Sequence, residues 1–110
     1  MKAILIPLSG DPIEVEQNGF DDLQRLVGGL IELVGLPNRT DAVAYINEEG
    51  KFRFPRNQAA TALLAGSLFD GDWIAGPCVL AGADPASGED KPVPADLLAT
   101  VRALARTLPA

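Results

Sequence analysis

The stretch Asn47-Glu48-Glu49-Gly50-Lys51 constrains the fold most, because it ends an apolar segment and turns the chain back. Asparagine at the first position and glycine at the fourth are what a type I turn prefers. The Asn47 side chain can accept a hydrogen bond from the backbone two residues on, and Gly50 tolerates a positive φ. Glu48 and Glu49 fill the permissive central positions. We therefore predict a hairpin whose returning strand, Lys51–Phe54, points both phenylalanines inward and both cations outward.

The rest of the chain divides into short apolar segments separated by turn residues. Lys2–Leu8 and Ile13–Glu16 flank the turn cluster Ser9-Gly10-Asp11-Pro12, which predicts a hairpin. An edge position or a bulge is required at Gly76–Pro77, because proline cannot donate to a strand ladder. The further predicted strands are Leu30–Leu36, Ala42–Ile46 and Trp73–Ala81.

Three segments have apolar residues or good helix formers at helical spacing, with capping or stop residues at their ends. The predicted helices are 20–28, 57–66 and 94–108. Gly28-Gly29 stops the first, Asn57 is a favourable N-cap for the second, and Pro94 suits the first turn of the third. The Gly- and Pro-rich segment 82–93 predicts an exposed loop. Together these elements predict one α+β domain over residues 1–110, with a mostly antiparallel sheet of five or six strands and three helices, at least two of them on one face.

Composition excludes several classes of function. The formal net charge is -6, which disfavours direct nucleic-acid binding because such binding needs clustered cations. The single cysteine, Cys78, cannot form an internal disulfide, and its apolar neighbours predict a buried, unreactive thiol. Histidine is absent, which removes Ser-His and Cys-His mechanisms and makes a zinc site improbable. We expect no metal, no cofactor and no catalytic residue.

We also expect no targeting signal. The N-terminal apolar run ends at Leu8, too short for a secretory signal. No run approaches the roughly 20 apolar residues of a membrane helix. We expect a cytoplasmic protein that does not engage membranes.

One basic segment is the candidate site. Lys51, Arg53 and Arg56 lie within six residues of a chain that has only 9 Lys and Arg, and Asn57 follows at a helix start. Forked arginine donors beside the positive end of a helix suit phosphate or carboxylate groups. These four residues are candidates for binding an anion or a partner. The alternative is that the cations pair with Glu48, Glu49 or Glu14.

Two further features have competing interpretations. Glu48 and Glu49 could act as paired carboxylates, but adjacent turn residues usually diverge into water, which favours a solvated turn. Trp73 follows Asp70-Gly71-Asp72 and is either a core residue or an interface anchor. The apolar stripe of the third helix packs either on its own sheet or on another chain.

Several segments together resemble one known family. They are Leu26-Val27-Gly28-Gly29-Leu30-Ile31-Glu32, Tyr45 to Lys51, Pro55-Arg56-Asn57 and Ala60-Thr61-Ala62-Leu63. In order and spacing, from the N-terminus to about Gly82, they resemble domain of unknown function thirty-eight forty-six, small proteins of phages, plasmids and actinobacterial genomes. The resemblance implies a phage-type accessory protein and no particular activity.

We therefore expect a non-enzymatic accessory or regulatory binding protein of phage or mobile-element type, with another protein as its partner. One alternative is an acidic decoy that inhibits a nucleic-acid-binding host protein. Another is an enzyme or binder that acts on a small anionic ligand at the Arg53–Asn57 corner. Formation of a homodimer also stays open.

Overall fold

The computed structural model describes residues 1–108 and contains a six-stranded sheet. The predicted domain extends to Ala110, so its last two residues lie outside this range. The strands are β1 (Lys2–Ile6), β2 (Ile13–Glu16), β3 (Ile31–Gly35), β4 (Ala42–Asn47), β5 (Cys78–Ala83) and β6 (Asp90–Lys91). The helices are α1 (Phe20–Val27), α2 (Gly50–Arg53), α3 (Gln58–Leu64), which continues into a 3₁₀ turn at Ala65–Ser67, and α4 (Leu97–Thr107).

All strand pairs are antiparallel, in the order β2-β1-β5-β4-β3. The predicted hairpin of β1 and β2 forms, with Lys2 opposite Glu16 and Leu5 opposite Ile13. Strand β6 pairs with the end of β5, and the following Val93 N–H donates to the Lys2 carbonyl at 2.9 Å. As a result β5 is central, and β2 and β3 are the two edges.

Both faces of the sheet are covered by helices. Helix α1 packs on one face through Leu23 and Val27, which contact Val79 of β5. Helices α3 and α4 cover the other face, where Leu64 and Val101 join Ile4 and Leu80 in the larger core cluster. The predicted α+β class, the antiparallel sheet and the pair of helices on one face are confirmed. No helix within residues 1–108 has the length and hydrophobicity needed to cross a bilayer.

The prediction of a returning strand at Lys51–Phe54 is wrong. Gly50 begins the one-turn helix α2, which ends at Arg53, and the Phe54 N–H donates to the Gly50 carbonyl at 2.8 Å. The Phe52 side chain points outward and is 90% exposed. A returning strand cannot pair with β4 as a hairpin requires, because β4 already pairs with β3 on one side and β5 on the other.

The predictions for Trp73–Ala81 and for the loop 82–93 are also partly wrong. The strand begins only at Cys78, after Gly76 with φ 87°, and continues to Ala83. Gly82 lies inside the strand rather than in a loop. A Cβ at this position would lie 2.2 Å from the Pro92 carbonyl oxygen. The absence of a side chain at Gly82 permits the close approach of the returning chain, whose residues Asp90 and Lys91 form β6.

The predicted C-terminal helix starts three residues later than expected, at Leu97. Residues 94–96 form a preceding turn, in which the Leu97 N–H donates to the Pro94 carbonyl at 3.1 Å. The first two predicted helices are confirmed to within two residues at each end.

Candidate functional site

The predicted basic cluster does not converge on one point. Lys51 lies on α2, where its ammonium group pairs with the Asp72 carboxylate and stands 4.5 Å from the centroid of the Trp73 ring. The hydrogen bond from Lys51, joined by one from the Trp73 N–H, lowers the pKa of the Asp72 carboxyl. Lys51 therefore already has an anionic partner, which is Asp72 rather than Glu48, Glu49 or Glu14.

The two arginines point to different neighbours. Arg53 Nη1 donates to the Gly28 carbonyl at 2.9 Å, at the end of α1. The Arg56 guanidinium lies 5.1 Å from the Trp73 ring centroid, so Lys51 and Arg56 both make cation–π contacts with this indole. Trp73 is 36% exposed and sits at the rim of the core rather than inside it.

Asn57 has a structural position. Its side chain is 1% exposed, and its Oδ1 accepts from the Ala60 N–H at 3.0 Å, which confirms the predicted N-cap of α3. Its Nδ2 donates to the carbonyls of Ile6 and Gly76, each at 3.0 Å. Both amide hydrogens are used by the protein's own backbone, so this side chain has no donor left for an anion.

A cavity of about 410 Å³ opens beside Arg56. Among residues 1–108, Arg56 is the only charged side chain in its lining, and the other polar side chains there belong to Ser9, Asn57 and Gln58. A reaction would need a group that accepts a proton at neutral pH, and the lining residues that the structure describes include no carboxylate or thiol. The remaining lining residues are Pro7, Leu8, Gly10, Ala59, Ala105 and Leu108.

A second concavity runs along β3, and we call it the aromatic groove. It consists of two adjoining cavities of about 210 and 310 Å³ that share Glu32, Val34, Leu68 and Asp72. One wall is β3 with the end of β4, the opposite wall is the segment 67–75, and α2 closes one end. Its floor is apolar, formed by Val34, Ile46, Leu68, Ile74 and Ala75.

Two phenylalanines border the aromatic groove and face water. Phe52 of α2 is 90% exposed, and Phe69 in the opposite wall is 89% exposed. Glu32 and Glu48 line the same groove and form no ion pair within residues 1–108. With Asp72 they place three carboxylates in the groove against the single ammonium group of Lys51.

The sequence prediction missed this groove. The alternation in Lys51–Phe54 predicts an inward-facing Phe52, and no predicted element includes Phe69. Its position beside Asp70-Gly71-Asp72 was the available signal, because an aromatic residue in a polar turn has little core to enter.

The acidic pair of the turn and the cysteine have the surroundings that the sequence predicts. Glu48 and Glu49 are both exposed, and the Glu49 N–H donates to Asn47 Oδ1 at 2.8 Å, as the turn prediction required. The Cys78 thiol is fully buried, and burial raises its pKa to about 12. Within residues 1–108, no group of three or more His, Cys, Asp or Glu side chains is placed to hold a metal ion.

The segments that carry the family resemblance meet at one point of the fold. Asn47 Nδ2 donates to the Val27 carbonyl at 3.1 Å, and Arg53 reaches the neighbouring Gly28 carbonyl. A Cβ on Gly29 would lie 2.8 Å from Arg53 Nη1 and 3.0 Å from Asn47 Nδ2. The double glycine thus lets the turn after α1 pass beneath Asn47 and Arg53, which gives these motif residues a packing role.

The family model of the domain of unknown function DUF3846 matches residues 1–106. The chain belongs to this family. The match extends beyond Gly82, where the sequence resemblance ended, and includes β6 and most of α4. The DUF3846 description states no activity. Comparisons with curated proteins and with solved structures gave no match.

Proposed function

We propose that this DUF3846 protein is a non-enzymatic accessory protein of phage or mobile-element type that acts in the cytoplasm by binding another protein through the aromatic groove. The observation that carries the proposal is the pair of nearly fully exposed phenylalanines, Phe52 and Phe69, each bordering one of the two adjoining cavities of this groove. Large aromatic side chains concentrate at protein interfaces, where their burial supplies much of the binding free energy.

The surroundings of the groove support a protein rather than a small molecule as the ligand. Its two cavities are lined by residues of an edge strand, a short helix and a turn. Trp73 and Lys51 form its rim, and their mutual contact holds both side chains in place before any partner arrives. The basic corner first predicted as the site contributes Lys51 to this surface, whereas Arg53 and Asn57 are held by backbone carbonyls.

The placement of the acidic residues does not favour the decoy alternative. Glu14 and Glu16 lie on edge strand β2, Asp21 and Asp22 on α1, and Glu48 and Glu49 beyond β4 on the far side of the sheet. These carboxylates occupy several faces and form no single row that would imitate a phosphate backbone. Some of them already have intramolecular partners: Glu14 pairs with Lys2, and Asp22 pairs with Arg25.

A photo-crosslinking amino acid placed at position 52 or 69 tests the proposal. In cells that naturally carry the gene, we expect both positions to crosslink to the same protein, while position 20 on α1 does not. Phe20 is the matched control because it is also an exposed phenylalanine, 59% exposed, on the opposite face of the sheet.

The captured partner, once purified, allows an affinity measurement. We expect Phe52→Ala and Phe69→Ala each to weaken binding about 10-fold, because burying an aromatic hot spot contributes on the order of 1–2 kcal/mol. Phe20→Ala should leave the affinity unchanged. Equal crosslinking at all three positions, or equal affinity of all three variants, would contradict the proposal.

A further inference from the structure

The hydrogen-bonding pattern of β3 leaves one side of this strand unpaired. The Glu48 N–H donates to the Leu30 carbonyl at 2.8 Å, and the register places Glu32 opposite Ile46 and Val34 opposite Ala44. In an antiparallel ladder the backbone groups point alternately toward and away from the partner strand. The N–H and C=O groups of Ile31, Leu33 and Gly35 therefore point away from β4.

A separate contact supports this orientation. The Gly35 carbonyl accepts a hydrogen bond from Ser67 Oγ at 2.6 Å, outside the sheet. No strand within residues 1–108 pairs with the outer side of β3. Ile31 and Leu33 thus present the free part of an edge, with the exposed Leu33 side chain beside it.

The β3 edge is better suited to the addition of a strand than the β2 edge at the other end of the sheet. Strand β2 carries two glutamates in four residues, and charged side chains on an edge discourage pairing with other chains. Strand β3 has one charge, Glu32, and no proline or lysine. Its outer side also runs directly along the aromatic groove.

We propose that β3 is the docking edge for an extended segment of a partner protein in which basic residues alternate with branched aliphatic residues. This inference rests on the proposed function, because it specifies which kind of segment the aromatic groove binds. Side chains of an added strand alternate between the two faces of the sheet. On the α1 face they meet Leu33, and on the groove face they meet Glu32 and Phe69.

Charge complementarity determines the occupant. On the groove face the unpaired carboxylates of Glu32 and Glu48 attract lysine or arginine, and the exposed rings of Phe52 and Phe69 accept both the aliphatic stems and the cations. On the opposite face Leu33, which is 57% exposed, offers apolar contact to a branched aliphatic side chain.

The same charges disfavour a second copy of the chain at this edge. Symmetric pairing of β3 with itself about Leu33 would bring two Glu32 side chains to diagonal positions on one face, each with its own Asp72 nearby. The net charge of -6 on each chain adds to this repulsion.

Three acetylated seven-residue peptides test the proposal. The first alternates lysine with valine, the second alternates glutamate with valine, and the third is the lysine peptide with proline at its central position. Each is titrated into the full chain while backbone amide resonances and amide hydrogen exchange are recorded by NMR. We expect the lysine peptide to shift and protect the Ile31 and Leu33 amides, and the other two to bind at least 10-fold more weakly.

The variant Glu32→Lys provides a charge-swap control, because residue 32 is exposed and its substitution leaves the core unchanged. With this variant the order should reverse, so that the glutamate peptide binds more tightly than the lysine peptide. The proposal is overturned if the lysine peptide leaves the Leu33 amide unaffected, if both charged peptides bind equally, or if this amide becomes protected only as the protein concentration rises, which would place a second copy at the edge.

The outcomes separate this inference from the proposed function. Peptide shifts at Phe52 and Phe69 without protection of Leu33 would refute strand addition and leave the groove as the binding surface. Protection of Leu33 that is unchanged by Phe52→Ala and Phe69→Ala would support strand addition and refute the role of the two phenylalanines.

Discussion

At the residue scale, glycine is required at a few positions because of neighbours that are distant in sequence. The sequence predicts Gly50 at the fourth position of a turn, but it is a buried helical residue that lies against the backbone of Ala75. Gly82 was expected in a loop and instead lies within a strand, against the Pro92 carbonyl. In both cases the glycine allows two backbone segments to approach closely, and the local sequence does not contain that information.

Replacing Gly50 by alanine tests this interpretation. The added Cβ would lie 2.4 Å from the Ala75 carbonyl oxygen, a backbone atom that cannot move aside cheaply. Alanine favours a helix over glycine by about 1 kcal/mol, so a net loss requires the clash to outweigh the gain. We expect Gly50→Ala to lower the free energy of unfolding by about 1–2 kcal/mol, measured by urea denaturation.

Gly35→Ala is the matched control, because a Cβ at Gly35 would meet no atom within 4 Å. Its free energy of unfolding should stay within about 0.5 kcal/mol of wild type. A Gly50→Ala protein as stable as wild type would show that the Ala75 backbone yields to the new side chain.

At the element scale, one arginine ties the β3–β4 connection to the start of α4. Arg39 forms a bidentate pair with Asp41 and also hydrogen-bonds both carboxylate oxygens of Asp96, at distances of 2.9–3.1 Å. The hydrogen bonds from Arg39 lower the pKa of both carboxyl groups and raise the pKa of the guanidinium. The contact joins residues 57 positions apart in the chain.

This clamp predicts a pH dependence of stability. A carboxyl group whose pKa is lower in the folded state stabilises the fold above its unfolded pKa of about 3.9, and that stabilisation disappears as the pH falls through the folded pKa. We therefore expect wild type to lose thermal stability more steeply below a pH of about 4 than Arg39→Met, which has already lost the pairing. Melting temperatures over an acid pH series would measure the difference.

Arg106→Met is the control for this series. The wild-type Arg106 guanidinium contacts the Asp11 carboxylate at 3.6 Å, and both side chains are more than half exposed. Water screens such an ion pair, so its removal should change the free energy of unfolding little. The melting temperature of Arg106→Met should fall with decreasing pH as steeply as that of wild type. An Arg39→Met profile parallel to wild type would show that the clamp does not contribute to acid sensitivity.

The helix ends show how much of an element is decided locally. The Gly28 C-cap of α1 is left-handed, and the Asn57 side chain caps α3, both as the sequence predicts. These signals act over three or four residues, so no distant contact is needed to interpret them. Helix α2 lacks any such signal. Its alternating residues Lys51–Arg53 match a strand pattern that the occupied flanks of β4 do not allow.

At the scale of the whole molecule, the sheet is organised around a strand from the last third of the chain. Strand β5 pairs with both β1 and β4, and its residues from Cys78 to Leu80 have no exposed surface. Both core clusters include its side chains. The strand therefore connects the N-terminal hairpin to the β3–β4 pair and completes the core.

This arrangement predicts the order of amide hydrogen exchange. We expect the Val79 and Leu80 amides to exchange slowest, only through global unfolding, because they are hydrogen-bonded in the centre of the sheet. The outward-pointing Ile31 and Leu33 amides of β3 should exchange much faster than these two, because they have no partner strand within residues 1–108. Exchange measured at rising denaturant concentrations would separate the two groups.

A contrary result would also be informative. Slow exchange of Ile31 and Leu33 in the isolated chain would mean that another segment or another copy already pairs with this edge. Fast exchange in β5 would mean that the N-terminal hairpin opens independently of the rest of the sheet.

The sequence by itself determined the α+β class, the β1–β2 hairpin, the three longer helices, the Asn57 cap and the buried thiol of Cys78. Each of these depends on a local signal or on hydrophobicity, which acts in the same way wherever the segment lies. Only the tertiary structure decided the central position of β5, the helical turn at Gly50–Arg53, the separation of Arg53 from Lys51 and Arg56, and the exposure of Phe52 and Phe69. These features depend on which strands are neighbours in the sheet, because the partners of a strand determine which backbone edges and side chains remain free. A pattern of a few residues carries no information about those partners.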